Sequence, residues 1–290
     1  MALDFNALLA AERTRRRHGG AAPASASEAA GRSPAPPPAP CRSPPPPAVG
    51  EYCLPERQRR AAMSEAHRIQ GEVQAVFHVA DWMDEGEEQG LLRCINSIPD
   101  DCWVQLRSRR LLQLGGTPLP QGMQPEPLPS WASAVCDALV AAGVFSAEEP
   151  PNHVLVNEYL PGQGIAAHRD GPLYLSRVAI VSMGSHCTFQ FVSDDVERRP
   201  HLQTLLPRRG LLVFEGDAYE KLLHEVVAQH ADLPPQHHPS IRQQDASEYP
   251  PDSGLAQTPS KEEPGMATTE RIPRERRVSL TVRRVLRVLS

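Results

Sequence analysis

Apolar residues recur with helical spacing at two places in the chain. The first predicted helix begins after Asp84, a residue type whose side chain caps helix N-termini, and its apolar positions are Leu91, Leu92 and Ile95. The second has Ser130 at its N-cap and ends at Gly143, and its apolar positions are Trp131, Ala134, Val135, Ala138, Leu139 and Ala142. Each stripe is typical of a helix that packs one face against a core.

From residue 152 onward the pattern changes to short runs of β-forming residues, separated by Gly, Pro, Asp and Arg turns. A similar run of Val76, Phe77 and Val79 precedes the first helix. Several strands without interleaved helices favour an antiparallel sandwich or jelly roll. We therefore expect a mainly β fold with flanking helices, whose later strands are 153–160, 178–183, 187–192, 211–215, 222–228 and 277–288.

Two stretches are too polar and too rich in small residues to contribute to a core. Residues 1–72 are predicted to be a disordered tail rich in Ala and Pro, with a short helix near its start and proline runs suited to a protein partner. Residues 233–273 are predicted to be a disordered insert between the last two strands. The expected organisation is one folded domain over 73–288 that contains this insert.

The cysteines and the charge indicate the class of environment. Six cysteines lie far apart without a C-x-x-C pair, which favours a reducing compartment over a disulfide framework. The N-terminus lacks the residue order of a secretory signal, and no run is long enough to span a membrane. A net charge of −5 gives no support to strong duplex binding but leaves room for a local basic groove. We expect a monomer of the cytoplasm and nucleus.

The segment 152–174 carries a candidate metal site. His168 and Asp170 are two residues apart, and residues i and i+2 of an extended chain point to the same side. One imidazole and one carboxylate therefore converge, and His224 on a later predicted strand fits as the third ligand. Two histidines and one carboxylate on one face of non-haem Fe(II) leave positions open for a bidentate co-substrate and O2.

The H-x-D pair is a weak signal when it is taken alone. A chain with 11 histidines and 35 acidic residues contains about one such pair by chance. A second copy, His230 and Asp232, borders the predicted insert and lacks a strand-borne partner. His153 and His186 are interpreted as hydrogen-bonded structural residues.

A second group of residues near the C-terminus supports the metal site. Arg277 and Arg283 are six residues apart on a predicted strand, so their guanidinium groups share one face with the two side chains between them, Ser279 and Thr281. Such a pair suits a dicarboxylate, because each arginine can hold one carboxylate in a bidentate contact. Asn157 and Tyr159 are also two residues apart, so by the same argument they would place an amide and a phenol near the same ligand. The alternative interpretation is an edge strand with solvated arginines.

These residues stand in sequence blocks that resemble the AlkB family of Fe(II)- and 2-oxoglutarate-dependent dioxygenases, most of all its homologue 6 branch. The blocks are NEYLPGQGIAAHRD, SMGSHCTFQF, GDAYEKLLHEV and RVSLTVR, and they occur in the family's order and spacing. The likeness covers residues 73–232 and 271–288. It implies the double-stranded β-helix fold, which is a jelly roll, and an enzyme that uses Fe(II), 2-oxoglutarate and O2.

The resemblance also implies roles for the residues of the site. Fe(II) would be held by His168, Asp170 and His224. The 2-oxoglutarate would be bound by Asn157 and Tyr159, by Arg277 at its distal carboxylate and by Arg283 near its metal-chelating end, with Ser279 and Thr281 between the arginines. Two departures from the family pattern are Glu225, which stands where a glycine is usual and is expected to place a charge beside the metal, and Ser279, which replaces the common asparagine.

The substrate is less well defined by the sequence. AlkB relatives usually cover the target base with a lid before the second helix, and here that region is 102–129. Trp103 would stack on a base, and Arg109 and Arg110 would meet phosphates; alternatively, Trp103 is a core residue and the arginines are solvated. The resemblance implies oxidation or demethylation of N-alkylated nucleic acid, RNA more than DNA. The alternatives are a dioxygenase for a protein or small molecule, and a binding module without turnover.

Overall fold

The computed structural model describes residues 62–234 and 270–289. The short helix and the proline runs predicted for the tail therefore lie outside the described residues, as does most of the predicted insert. Among the described residues, no helix combines the length and the apolar character that crossing a membrane requires.

Both predicted helices are present. Helix α1 covers Glu85–Asn96 and helix α2 covers Ser130–Ala141. At the start of α1 the Asp84 carboxylate accepts the backbone N–H of Glu87 over 2.8 Å, and the Glu87 carboxylate accepts the backbone N–H of Asp84 over 2.8 Å, which together form a capping box. Helix α2 begins one residue earlier than predicted, because Pro129 and not Ser130 occupies the cap position. A short helix α3 covers Asp217–Glu220.

All of the predicted strands form, although the last ends at Arg283 and not at residue 288. In chain order the strands of the described residues are β1 Val76–Val79, β2 Val104–Gln105, β3 Arg110–Leu114, β4 Gly116–Leu119, β5 Gly122–Pro125, β6 His153–Tyr159, β7 Ile165–His168, β8 Arg177–Met183, β9 Cys187–Val192, β10 Pro200–Leu206, β11 Leu211–Glu215, β12 Leu223–Val226, β13 Ala231–Asp232, β14 Ile272–Pro273 and β15 Arg277–Arg283. The pattern missed β2, β3, β4, β5, β7, β10, β13 and β14; several of these are short, as in β2 and β13, or contain Gly and Pro, as in β4 and β5.

Two antiparallel sheets form the body of the fold. The larger sheet has the order β1-β11-β8-β15-β6-β3-β2, and the smaller has the order β10-β9-β12-β7. Two further strand pairs are β4 with β5 and β13 with β14. The prediction of a mainly β, antiparallel double-stranded β-helix with flanking helices is confirmed.

Each face of the larger sheet has its own core. Val278, Leu280 and Val282 of β15 belong to the core that contains Leu91 of α1 and Leu139 of α2. The core on the other face contains aromatic residues from both sheets and from α3: Tyr159, Phe189, Phe191, Phe214 and Tyr219. Because side chains alternate along a strand, the odd-numbered residues of β15 lie on the face towards the smaller sheet.

The packed chain extends beyond the predicted domain start at Val73. Ile69 is buried, and the backbone N–H of Met63 donates to the carbonyl of Ala142 over 2.9 Å. At the other boundary, β14 pairs with β13 although the prediction placed β14 within the insert. Isolated apolar residues among polar ones carry no period, so the sequence pattern could not reveal these contacts.

Candidate metal centre

The three predicted metal ligands converge between the two sheets. His168 ends β7 and is the direct antiparallel partner of His224 on β12, while Asp170 follows His168 by two residues. One donor atom from each of the three side chains lies within 4.8 Å of the other two, so the group could hold a metal ion. Strand pairing therefore brings together residues that are distant in the sequence.

The two histidine strands are fixed by contacts on the outside of the triad. Arg169, between the ligands in sequence, donates to the backbone carbonyl of Lys221 over 3.0 Å and to the Asp194 carboxylate over 3.1 Å. This ties the end of β7 to the turn that precedes β12. The ring of His224 stacks on Phe189, with 5.9 Å between the ring centroids, and lies 4.9 Å from the ring of Phe214. The imidazole of His224 is thus held by packing as well as by its strand.

The electrostatics of the triad suit a divalent cation. Burial lowers the pKa of His168. Burial and the neighbouring His168 together lower the pKa of His224 to about 3. Burial would raise the pKa of Asp170, but Arg283 and the neighbouring histidines outweigh it, and the pKa is lowered. At neutral pH the triad therefore offers two neutral ring nitrogens and one carboxylate, which is the donor set of non-haem Fe(II) sites.

Asp170 is oriented by Arg283. Its Oδ1 accepts Nη1 of Arg283 over 2.7 Å, while Oδ2 is buried without a hydrogen-bond partner among the described residues. The guanidinium of Arg283 also lies over the ring of Tyr174, 4.1 Å from its centroid. One carboxylate oxygen is thus occupied and the other is left for a metal.

The residues predicted to bind 2-oxoglutarate lie on the same face of the larger sheet. In the pairing of β15 with β6, Arg277 is opposite Tyr159 and Ser279 is opposite Asn157. Nη2 of Arg277 donates to Oγ of Ser182 over 2.9 Å, while its Nε and Nη1 are buried without a partner among the described residues. A buried cation with free donors in a planar fork fits a carboxylate, so this part of the site suits the dicarboxylate. Thr281 and Arg283 continue the row towards the triad.

The three residues predicted to contact substrate separate onto opposite faces. Arg109 lies with Asn157, whose Oδ1 accepts its Nε over 3.0 Å. The neighbouring Arg110 pairs instead with Glu158, over 2.8 Å, and lies over Trp103 at 4.3 Å from the ring centroid. Trp103 is buried in the core beside the helices.

The structure therefore places Trp103 and Arg110 away from the face that carries the triad. The expectation that they contact substrate is wrong in this arrangement, because Trp103 is covered by protein and Arg110 already holds a carboxylate. The alternative interpretation of Trp103 as a core residue is the one that the structure supports. Arg109 alone of the three remains at the site.

Two other expectations about charged residues are settled by strand direction. Glu225 does not place its charge beside the metal, because it follows His224 on β12 and points to the other face, where its carboxylate accepts a hydrogen bond from the amide of Gln190.

The second H-x-D pair is not a site either. Asp232 is fully buried and bound by Arg274 over 2.5 Å, and His230 is exposed.

The two histidines interpreted as structural differ in their contacts. His186 lies 3.3 Å from the Asp232 carboxylate. His153 is buried at 1% exposure, and neither of its ring nitrogens has a partner among the described residues. The expectation of a hydrogen-bonded residue is therefore wrong for His153.

Sequence reasoning missed three residues that support the site: Arg169, Tyr174 and Ser182. Ser182 belongs to the SMG block and stands opposite Ser279 in the sheet, but only the pairing of β8 with β15 shows that it meets Arg277. Tyr174 lies in a loop and reaches Arg283 through tertiary contacts. No local sequence signal could have identified Tyr174.

A pair of histidines and a carboxylate between the sheets of a jelly roll, with a buried arginine beside them, defines the non-haem iron oxygenases that use a 2-oxo acid. The sequence profile of the 2OG-Fe(II) oxygenase superfamily matches residues 116–283. The chain is 32% identical over 241 residues to the probable RNA/DNA demethylase ALKBH6 of Danio rerio, across 80% of this chain and 94% of that protein. The chain belongs to the 2OG-Fe(II) oxygenase superfamily and is an AlkB-like Fe(II)- and 2-oxoglutarate-dependent dioxygenase, as the sequence blocks predicted.

Other similar proteins are more distant. The tRNA (carboxymethyluridine(34)-5-O)-methyltransferase ALKBH8 of Mus musculus is 26% identical over 171 residues, across 53% of this chain and 24% of that protein. The uncharacterized protein L905 of Acanthamoeba polyphaga mimivirus is 24% identical over 214 residues, across 72% and 84%. The solved structure of OsALKBH1 shares 18% identity with a TM-score of 0.45, and the match covers 74% of this chain and all of that one.

Proposed function

We propose that this dioxygenase oxidises N-alkylated nucleic acid, RNA in preference to DNA, and removes the alkyl group. The observation that carries the proposal is the similarity to a probable RNA/DNA demethylase over nearly the whole length of that relative. RNA is preferred because the ALKBH8 relative also bears the name of an enzyme that acts on RNA. When Fe(II) and 2-oxoglutarate are bound, they supply the oxidative decarboxylation by O2 that hydroxylates a C–H bond, and a hydroxylated N-methyl group is lost as formaldehyde.

We assign His168, Asp170 and His224 as the ligands of Fe(II). Their convergence within 4.8 Å and the free Oδ2 of Asp170 support this assignment. The buried, unpartnered donors of Arg277 support its role at the distal carboxylate of 2-oxoglutarate. Further contacts to the co-substrate come from the same face: Asn157, Tyr159, Ser279, Thr281 and Arg283.

The protein's own contribution is orientation and exclusion of water. Arg283 holds one oxygen of Asp170, which fixes the direction of the other. Burial lowers the pKa of His168 and His224 and keeps both neutral, so that each imidazole can offer one ring nitrogen to a metal near pH 7. The phenylalanines around His224 remove water from the back of the site, which strengthens the electrostatic contacts inside it.

The proposal is tested by incubating the full chain with Fe(II), 2-oxoglutarate and methylated RNA or DNA oligonucleotides. We expect formaldehyde and succinate from the RNA, and neither from His168→Ala. The matched control is His201→Ala, which removes an imidazole on β10, outside the assigned site. Equal 2-oxoglutarate turnover in wild type and His168→Ala, or none in either, contradicts the enzyme and favours a binding module. Turnover without formaldehyde from any oligonucleotide contradicts the nucleic-acid substrate and favours a protein or small molecule.

We further propose that the protein is a monomer of the cytoplasm and nucleus that binds a protein partner through its proline-rich tail. Its support is the thiol chemistry: Cys94, Cys136 and Cys187 are free thiols, which suits a reducing compartment. Light scattering gives the mass in solution, and a fluorescent fusion with and without residues 1–61 gives the location and the tail's part in it. A dimer mass, or a secreted fusion, contradicts this proposal.

A further inference from the structure

Asp170 is the one of the three assigned metal ligands that lies outside a strand. β7 ends at His168, which pairs with His224 on β12, and Asp170 lies two residues beyond that end. Arg283 orients the carboxylate of Asp170, but this contact does not reach the backbone. Donor atoms of a metal site have to be held to within about 0.5 Å of their working positions. The backbone that carries Asp170 therefore needs contacts of its own.

Tyr219 supplies such a contact from helix α3. Its hydroxyl donates to the backbone carbonyl of Gly171, the residue after Asp170, over 3.0 Å. The side chain of Tyr219 is 6% exposed, and the centroid of its ring lies 6.5 Å from that of Phe214. Burial and the nearby Asp170 raise the pKa of Tyr219, so the phenol keeps its proton and remains a donor. The hydrogen bond to Gly171 thus comes from a buried ring that packing holds in place.

Two hydrogen bonds link the ligand-bearing segments in opposite directions. Arg169, just before Asp170, donates to the carbonyl of Lys221 in the turn before β12 over 3.0 Å. Tyr219, five residues before His224, donates in return to the residue just after Asp170. The chain on both sides of Asp170 is therefore attached to the segment that leads into the His224 strand. This arrangement fixes the carboxylate relative to the distal histidine.

We propose that Tyr219 is a positioning residue of the metal site. Through the carbonyl of Gly171 it holds the backbone of Asp170, so that the free Oδ2 of this ligand is directed at an ion bound by the two histidines. The inference rests on the proposed function, which assigns the three iron ligands, and it adds a residue outside that set. Tyr219→Phe keeps the packed ring and removes the hydrogen bond, which leaves residues 170–173 freer to move Oδ2 away from the ion.

Two measurements on the full chain test this role, one with metal and one without. Anaerobic calorimetry with Fe(II) alone gives the Kd of the ion. Tyr219→Phe should raise this Kd by about tenfold, which is a usual effect of losing a contact behind a metal ligand. Hydrogen exchange of the metal-free protein should show faster exchange of the backbone amides of residues 170–173 in Tyr219→Phe, because this segment opens more often. The exchange measurement does not depend on iron.

The matched control is Ser97→Ala, which also removes a hydroxyl that donates to a backbone carbonyl, that of Cys94 at the end of α1, over 2.7 Å. It should leave the Kd of Fe(II) and the exchange of residues 170–173 unchanged. Urea denaturation of both variants measures any general loss of stability.

The outcomes separate this inference from the assignment of the iron ligands. If Tyr219→Phe binds Fe(II) as wild type does and His168→Ala does not bind it, the inference is overturned and the ligands stand. Equal increases of the Kd in Tyr219→Phe and Ser97→Ala overturn the inference as well, because a general loss of stability then explains both. If wild type and His168→Ala bind Fe(II) equally, or neither binds it, the ligand assignment fails and the inference fails with it.

Discussion

The guanidinium of Arg277 is positioned before any ligand arrives. Ser182 accepts one of its N–H groups, and its Cζ lies 5.5 Å from the centroid of the Tyr159 ring. Its side chain is nearly free of solvent, at 3% exposure. Because the cation is already desolvated and oriented, little of the binding free energy of a carboxylate is spent on ordering the side chain.

Arg277→Gln should therefore weaken 2-oxoglutarate binding strongly. The change removes a charge-assisted contact from a buried site, and we expect the KM for 2-oxoglutarate to rise by about a hundredfold. The measurement is succinate formation against 2-oxoglutarate concentration in the absence of nucleic acid. Arg287→Gln, at an exposed position just after β15, is the control and should leave the KM unchanged. A rise of less than threefold in Arg277→Gln would remove Arg277 from the co-substrate site.

Strand β6 carries a site residue and a structural residue side by side. Asn157 faces the metal centre, whereas Glu158 faces the helices and accepts from Arg110 and Arg276. Arg110 in turn covers Trp103. The face of β6 that carries Asn157 therefore contributes to the metal centre, whereas the face that carries Glu158 contributes to the stability of the fold.

Glu158→Gln should destabilise the fold and spare the site. The amide keeps the shape of the side chain but leaves two partly buried arginines without their counter-charge, so the free energy of unfolding should fall by about 2 kcal/mol. Urea denaturation measures this loss, and the KM for 2-oxoglutarate should change by less than about twofold because Glu158 lies on the other face. The exposed Glu149→Gln should show neither effect. A large change in KM with unaltered stability would contradict this division of the two faces.

The pairing of β13 with β14 is reinforced by one buried carboxylate. Asp232 is fully buried and accepts from Arg274, from Thr188 and from Gln229. Burial alone would raise its pKa, but these partners lower it to about 2. The contacts tie the chain on the two sides of residues 235–269 to each other and to β9.

Asp232→Asn should cost about 3 kcal/mol of unfolding free energy at pH 7, because it leaves Arg274 buried without its counter-charge. The pKa of Asp232 is lower in the folded state than its ordinary value of 3.8. Its contribution is therefore complete above that value and is lost as the pH falls towards 2. Urea denaturation at pH 7 and pH 3 should show a smaller difference between variant and wild type at the lower pH. A constant difference would exclude protonation of Asp232 as the cause.

At the scale of the whole molecule, the metal centre lies where the two sheets face each other. This interior keeps histidines neutral: burial lowers the pKa of His224 to about 3 and that of His153 well below its ordinary value. The unfolded chain binds protons at these residues near pH 6.5. The folded metal-free protein does not, so its stability depends on pH.

The stability of the metal-free protein should fall as the pH drops from 6.5 to 5. Each histidine with a lowered folded-state pKa contributes a slope of about 1.4 kcal/mol per pH unit below its unfolded-state pKa. Urea denaturation in the presence of a chelator measures the slope. His153→Gln should reduce the slope of the unfolding free energy against pH by the contribution of one histidine. His230→Gln, at an exposed position, should leave the slope unchanged. An unchanged slope in His153→Gln would show that His153 is protonated in the folded state.

Much of the fold and the site follows from local sequence patterns. The helical stripe after Asp84 and the alternation in β15 are properties of a few neighbouring residues, so they predict α1 and the shared face of Arg277 and Arg283. The same i, i+2 rule predicts the convergence of His168 and Asp170. The predicted limits of the domain and of the insert were less accurate at residues 62–72 and at β14. The contacts that hold the chain there come from isolated residues, which leave no periodic pattern in the sequence.

The tertiary structure alone decided which face of each strand meets the site. Arg109 and Arg110 are neighbours in the sequence, but Arg110 pairs with Glu158 in the register of β3 against β6, whereas Arg109, just before β3, donates to Asn157. Tertiary packing likewise decides that Trp103 lies in the core beside the helices. Local patterns show that side chains alternate between the two faces of a strand. Which of the two sets faces the site depends on the pairing between strands that are distant in the sequence. The sequence by itself determined the chemistry of the iron and 2-oxoglutarate residues, and only the packed sheets decided what surrounds them.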